Sequence, residues 1–491
     1  ALFLFPIVYL RSFAVAGIAV VGLAALTAVL ILPAVLAALG PRVDKLMVRR
    51  RAANTSDELT FWGRQSERIM RHPVPVAVGV TALLIVVALP FRNVELTRID
   101  DRVLPADTPA RVAGETIRED FSAGQLSAIE VLVIDDRFSQ ADGNLADRCR
   151  TNTTGVCADL DQYARALFAI GDVDNVSTER GTYSLNPFAF DAATLEFGAG
   201  EAAGPAAAVD VRIIDELNDP LAAVGATKLS LTPGVEPVSA EGEALVALVR
   251  STPGPFTTVL VTGESARLTD TKDALLANLK WAILWIVAAT YIVLLLMMGT
   301  PLIPLKALIL NLLSLSATYG ALVWVFQEGH LAGLLGFTAT GGIDAFTPIL
   351  LFCIAFGLSM DYEVFLLSRI KEEYDLSHDN DRAVVMGLSK SGNIVTAAAV
   401  LLALVFAAIG TSGVAVVKML GVGMVIAVLT DAFLIRATLV PALMKLTGSA
   451  NWWAPAWMRS WHLRWGIWER EPVTVGDSAA ASDSVKGSRT S

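Results

Sequence analysis

Charge is scarce in this sequence. Only 18% of its 491 residues are Asp, Glu, Lys or Arg, where a soluble chain of ordinary composition carries about 25%. Histidine occurs four times and cysteine three times, and none of them stands in a metal-ligand spacing, so no zinc site is expected. No Walker A run, no Rossmann glycine fingerprint and no HExxH pair can be found. That leaves no expectation of a cofactor, of enzyme chemistry or of an ATP-driven pump within the chain. No secretory leader pattern stands at the start either.

What fills the sequence instead is apolar. Hydrophobic residues make up 54% of the chain, with a mean hydropathy of +0.56. They collect in runs of at least about 18 residues, the length a hydrocarbon core of roughly 30 Å demands of a helix. Seven membrane spans are expected, over Phe13–Leu39, Val74–Phe91, Trp281–Gly299, Leu302–Phe326, Phe346–Ser368, Ile394–Thr411 and Val416–Met444. The chain opens Ala1-Leu2-Phe3-Leu4-Phe5-Pro6, and residues 1–9 read as the outer end of an eighth, cut helix whose predecessors are missing.

Charge asymmetry orients the spans. The stretch from Arg42 to Arg71 includes Lys45, Arg49, Arg50, Arg51, Arg64 and Arg68, whereas Arg92 to Asp273 holds about twice as many acidic as basic residues. Short basic loops stay in the cytoplasm, and large domains translocate largely regardless of charge. Residues 41–72 are therefore expected inside and the acidic 92–273 domain outside, in a multi-pass protein of the cell membrane. Alternation then places 326–345 outside, and the 369–393 loop and the tail inside. An acidic outer domain gives no support to a nucleic-acid partner.

The outer domain reads as α+β. Strand character over Ala128–Ile134, helical spacing over Asp159–Ile170 and a return strand at Asp172–Val176 are followed by a helix at Ala240–Arg250 and a strand at Phe256–Thr262. The order suggests a split βαβ unit, with the Gly/Ala-rich 197–208 looped out of it. Leu32-Pro33-Ala34 with Gly40 also recurs as Val440-Pro441-Ala442 with Gly448. Two long spans thus close alike, as in transporters built from two related halves.

Asp361 carries the chemistry. It lies inside an expected span, in Ser359-Met360-Asp361-Tyr362-Glu363. A carboxylate there costs at least about 2.5–3.5 kcal/mol on insertion scales, so such groups face a bundle interior or a wet cavity and mark ion paths. Tyr362 could lend a hydroxyl to a proton relay. Glu363 points to another helix face, nearer Arg369 and Lys371, and reads as interfacial. Asp431 and Arg436, five residues apart in the last span, fall on different sides of an α-helix; each could bond a neighbouring helix, or Asp431 could join the relay. Lys306 and Lys418 stand near span ends, where they can snorkel. Asn311 suggests an interhelical hydrogen bond.

Cys149 and Cys157 fall in the outer domain with seven residues between them, and an oxidising compartment favours their pairing as a disulfide; Cys353 reads as a packing residue within a span. Trp452, Trp453, Trp457, Trp461, Trp465 and Trp468 are interleaved with Arg459, Arg464 and Arg470. That is the composition of a membrane-interface segment; a nucleic-acid stacking platform would need an open groove. Residues 471–491 have a disordered composition.

The run from Ala355 to Tyr374 resembles the Asp-Tyr helix of MMPL transporters in the RND superfamily. Leu104-Pro105, Val261-Thr262-Gly263 with Ala266 and Asp270, Ser391-Gly392-Asn393-Ile394 and the Asp431–Pro441 segment add further matches. The resemblance implies an α-helical polytopic bundle of twelve spans, two porter domains outside the membrane, and proton-driven export of lipids or other hydrophobic molecules. On that mapping 1–39 holds the end of helix 5 and helix 6, 40–73 a cytoplasmic loop, 74–91 helix 7, 92–273 an α+β porter domain, 274–448 helices 8–12, 449–470 the Trp-rich segment and 471–491 the tail. Asp361 and Tyr362 match the family's relay pair in helix ten. Their partner pair lies in a half absent from this chain, so that half is an implied partner beside membrane lipids, the substrate and a homo-oligomer. Two other readings stay open: a protein-export accessory of the SecDF type, and a lipid-binding assembly subunit without turnover.

Overall fold

The computed structural model describes residues 2–40, 59–98, 100–120, 127–138, 154–178, 181–184 and 225–465. Seven of its helices are long and apolar enough to cross a membrane: Val8–Leu39, Pro73–Asn93, Glu264–Met298, Leu302–Gln327, Thr347–Ser377, Asn380–Gly410 and Ala415–Trp452, the first to seventh spans below.

Several helices run past the apolar stretches that mark them in the sequence. The third span has no Gly or Pro between Glu264 and Met298, so one helix leaves the polar domain and enters the bundle without a break; the expected domain boundary at 273 falls inside it. The expected loop 369–393 is not a loop. The fifth span continues to Ser377 and the sixth begins at Asn380. Charged side chains support those extensions through pairs one turn apart, Arg369–Glu372 at 2.7 Å and Lys371–Asp375 at 3.1 Å. Between them His378 turns the chain at φ 53°, and Asp379 caps the sixth span through the N–H groups of Asp381 and Arg382.

Two further expectations change. Within the expected loop 40–73, Phe61–Arg71 is an amphipathic helix that buries Gly63, Ser66, Ile69 and Met70; residues 41–58 lie outside the described ones. Thr60 anchors its start, with its N–H donating to Ser389 Oγ at 3.0 Å and its Oγ1 donating to the Ser389 carbonyl at 2.9 Å. Among the described residues, 2–9 do not form the end of a separate helix. A short 3-10 turn at Leu2–Leu4 precedes the first span, which already begins at Val8.

Among the described residues, the polar domain holds a five-stranded antiparallel sheet. Its strands are β2 (Ile129–Ile134), β3 (Val173–Thr178), β4 (Gly181–Ser184), β5 (Ala226–Pro233) and β6 (Thr258–Thr262), after a short β1 (Leu96–Thr97) that belongs elsewhere. The order β4-β3-β5-β2-β6 puts β5 between β2 and β3, and β2 between β5 and β6. Each β-α-β unit is thus split by a strand of the other. The connecting helices Val156–Phe168 and Ala240–Ser251 cover one face, where Leu160, Leu167, Leu245 and Val249 pack on Val131, Val176, Leu229 and Leu231. β1 instead pairs in parallel with β7 (Ile343–Asp344), Leu96 with Ile343 and Thr97 with Asp344. The start of the polar domain is thereby tied to the start of the fifth span. Residues 197–208 lie outside the described ones.

The echo between the first and last spans is structural as well. In the first, a π-helical stretch Thr27–Ile31 gives way to the α-helix Leu32–Leu39, which ends on Gly40 at φ 51°, ψ −137°. In the last, a π-helical stretch Thr430–Leu439 gives way to the α-helix Val440–Thr447, which ends on Gly448 at φ 50°, ψ −126°. Both stops need a positive φ that glycine adopts without a Cβ clash, and both helices carry proline in the first turn, where its missing N–H is not called upon.

Candidate functional site in the fifth and seventh spans

The fifth span is positioned at its start by Asp344. Its Oδ2 accepts from the N–H of Phe346 at 3.2 Å, the N–H of Thr347 at 3.0 Å and Thr347 Oγ1 at 2.9 Å, satisfying donors that a helix N-terminus leaves free. Burial pushes the Asp344 carboxyl above the usual carboxylate range, against those same hydrogen bonds, which pull it down.

From there the helical period decides which side chains meet the bundle. Ala355, Ser359, Glu363, Leu367 and Ile370 are buried, at steps of four and three, the spacing of one helix face. Asp361 falls off that stripe and is exposed among the described residues, while Tyr362 is half-buried. Sequence reasoning expected Asp361 in the interior and Glu363 at the interface. In this bundle the phase of the helix exchanges them.

The seventh span supplies the facing charges. Over Thr430–Leu439 it is a π-helix, whose wider turn closes i→i+5 bonds. Residues five apart therefore come together, where an α-helix would turn them away from each other. Arg436 Nη2 lies 2.6 Å from Asp431 Oδ2, correcting the expectation that these residues occupy different sides. Both are buried. The pair reaches across to the fifth span: Ser359 Oγ donates to Asp431 Oδ1 at 2.9 Å, and Arg436 Nη2 donates to the carbonyl of Ser359. The Arg436 guanidinium also stands 5.2 Å from the centre of the Tyr362 ring, a cation–π distance. Asp431, Ser359 and Tyr362 line one cavity with Ala355, Leu358 and Val428. Arg436 Nε and Nη1 have no hydrogen-bond partner among the described residues.

Both lysines at the span ends differ from a snorkelling side chain. Lys418 is buried, and donates to the carbonyls of Leu335 and, at 2.8 Å, Gly336, at the C-terminal end of the helix Ala332–Leu335, where carbonyls lack partners. Lys306 donates to Thr447 Oγ1 at 3.0 Å and to Asn451 Oδ1. Asn311 is buried with neither amide atom hydrogen-bonded among the described residues, so the expected interhelical bond is not made here.

The remaining expected residues divide. Cys157 is buried in the polar-domain core, and Cys149 lies outside the described residues. Trp452 packs inside rather than at a lipid surface: its ring stacks on Tyr374 with centroids 3.8 Å apart, and its Nε1 donates to Asn380 Oδ1 at 3.0 Å. Trp453 and Trp457 are exposed. Trp468 and the tail lie outside the described residues. Among the described residues, no group of three or more His, Cys, Asp or Glu is placed to hold a metal ion. Ser359 joins the site unforeseen, and Glu363 is buried on the same helix face; the four-residue step from Ala355 through Ser359 and Glu363 to Leu367 is their signal in the sequence.

Known proteins are similar to this chain in sequence. The model of the MMPL family matches residues 218–475. The Streptomyces coelicolor membrane protein SCO6666 is 34% identical over 473 residues, covering 96% of this chain and 57% of that protein. The trehalose monomycolate exporter MmpL3 of Mycobacterium tuberculosis H37Rv is 29% identical over 511 residues, covering 97% of this chain and 50% of the exporter. The mycolic acid-containing lipids exporter MmpL11 of Mycolicibacterium smegmatis is 29% identical over 453 residues, covering 91% and 42%. The chain spans about half the length of these curated relatives. By the match over more than half of its residues, this multi-pass membrane protein belongs to the MMPL family.

Proposed function

We propose that this chain is the C-terminal part of an exporter of lipids or other hydrophobic molecules, driven by the proton gradient through Asp361 and Tyr362. The observation that carries the reading is a titratable carboxyl at mid-span beside the buried Ser359–Asp431–Arg436 network. Ionisable side chains within spans are costly, and they are retained where they move ions. Two relatives named as lipid exporters support the substrate class. The basic Arg42–Arg71 segment supports a cytoplasmic placement for that loop and an outer placement for the sheet domain, which then serves as the porter domain over 92–273.

The exporter needs a second half. The first span has no buried residue beyond Ala14, Asp361 is exposed, and the relatives are about twice as long. All three support another set of spans packing against this one and closing the site over Asp361.

Asp361→Asn tests the proposal. It keeps the shape of the side chain and removes its proton site. Placed in the complete transporter, it should abolish gradient-dependent export at near-normal expression. Unimpaired export by that variant refutes the reading.

A further inference from the structure

Glu363 forms a site of its own. It follows Asp361 by two residues, about 200° round the helix, and it is 6% exposed. It makes no hydrogen bond or ion pair among the described residues. The residue lines a half-open, mostly apolar cavity with Lys306 and Leu310 of the fourth span, Leu367, and Val440 and Leu443 of the seventh.

Few charges face it. The fourth span brings Lys306, and the seventh brings Arg436 and Asp431; the other walls named are aliphatic. Arg436 is held by Asp431 and Ser359. Lys306 shares the cavity, yet its ammonium is turned toward Thr447 and Asn451, at the end of the bundle where the seventh span stops. A carboxylate without a bonded cation in such a place is strongly disfavoured. The group has two inexpensive states: protonated with Lys306 on Thr447 and Asn451, or ionised with Lys306 swung across to it.

We propose that Glu363 is a second proton-binding carboxyl, on the inner side of the span, with Lys306 as its exchangeable counter-ion. On loading, a carboxylate oxygen of Glu363 takes a proton from the Asp361 side, and the donor is left one proton poorer. On discharge that O–H bond breaks, the proton passes to water at the inner end, and the Lys306 ammonium, keeping its own protons, pairs with the carboxylate. The inference rests on the relay reading for its direction, while the protonation of Glu363 is measurable by itself.

Dicyclohexylcarbodiimide supplies that measurement, because it adds to protonated carboxyls in apolar surroundings. The wild-type chain in lipid nanodiscs is treated from pH 5 to pH 9, and the adduct is located by peptide mass spectrometry. Glu363 should be labelled, labelling should fall as pH rises, and Lys306→Gln should move the midpoint upward by about one pH unit or more, since an opposite charge favours the ionised form. In the complete transporter, Glu363→Gln should lower gradient-driven proton flux at least tenfold, and Glu363→Asp should restore part of it. Labelling that is absent at every pH, or indifferent to Lys306, overturns the proposal, as does full flux with Glu363→Gln. Labelling reads Glu363 directly, so it is independent of the outcome for Asp361→Asn, and the two readings fail separately.

Discussion

Asp431 and Arg436 are five residues apart and form a 2.6 Å ion pair because the span between them is wound as a π-helix. At the equivalent place in the first span, 408 residues earlier by the Pro33–Pro441 and Gly40–Gly448 correspondence, stand Leu23 and Ala28. The π-helical winding is shared only over 27–31 and 435–439, since Leu23 lies in the α-helix Val8–Leu26. The longer π-helical stretch that brings Asp431 to Arg436 therefore belongs, like the charges, to the last span alone.

A buried pair of this kind is costly to break and much less costly to replace. Removing one partner strands a charge, at about 3–5 kcal/mol, whereas an apolar pair of similar volume is often neutral. Arg436→Ala should accordingly lower the unfolding midpoint in detergent more than the double variant Asp431→Leu/Arg436→Met does. Equal losses in the two would show that the charges are not coupled.

Packing between the second and fourth spans depends on one missing side chain. A Cβ at Gly320 would come within 2.0 Å of the Val87 carbonyl oxygen, so backbone would have to move. Gly320→Ala should destabilise the bundle by about 1–3 kcal/mol, the usual range for overpacking. A thermal midpoint equal to wild type would mean that the spans part without cost at this point.

The polar domain should weaken in acid for an identifiable reason. Arg137 holds Asp135 through Nε at 2.8 Å and Nη2 at 2.9 Å, and reaches Asp159 at 2.6 Å. Its hydrogen bonds hold the Asp135 carboxyl below the ordinary range, against the opposing pull of burial. A depressed carboxyl contributes stability above its unfolded pKa of about 3.9 and loses it as pH falls toward the folded value. Arg137→Ala should thus destabilise the domain by about 2 kcal/mol at neutral pH and flatten its loss of stability below about pH 4. Hydrogen exchange of β2 amides, followed against pH in both proteins, checks this; parallel profiles would count against it.

Much of this fold could be read from the sequence, and the failures have physical causes. Spans declare themselves by length and apolarity, so all seven were legible. Their ends were not, because the charged turns beyond Ser368 and before Trp281 stay helical through side-chain pairs and the absence of Gly and Pro. β5 went unread although Leu229 and Leu231 alternate with Lys228, Ser230 and Thr232, since it follows a long Gly/Ala-rich stretch that reads as loop. Asp361 drew attention as a charge in an apolar run. Which way it points depends on helical phase, and the phase was available in the Ala355–Ser359–Glu363 step. The Asp431–Arg436 contact was hidden, because a π-helical stretch has no mark in the sequence that distinguishes it from an α-helix.

The cysteines offer a test of compartment. Pairing of Cys149 with Cys157 would close a short loop and stabilise it by about 2–3 kcal/mol in the chain-entropy model. Intact-mass analysis after alkylation of the denatured chain should show one added alkyl group, on Cys353, without reductant and three after reduction. Full alkylation without reductant refutes the pairing and with it one support for an outer domain.

The last prediction concerns the chain alone. Asp361 is exposed, and Tyr362 shares its inner cavity with Asp431 and Ser359, while no described residue covers the outer side of Asp361. A relay carboxyl needs neighbours on all sides to set when it binds and loses its proton. It also needs a water-lined path that opens to one side of the membrane at a time. With its outer side bare, Asp361 meets lipid or an open cleft, and neither condition holds. Residues 1–491 reconstituted in liposomes under an imposed pH gradient should therefore pass protons no faster than the Asp361→Asn variant of the same chain. Co-reconstitution with a polypeptide supplying the other half should raise the flux at least tenfold and make it depend on Asp361. Flux from the lone chain that matches the completed transporter, and that Asp361→Asn abolishes, would show that one half suffices.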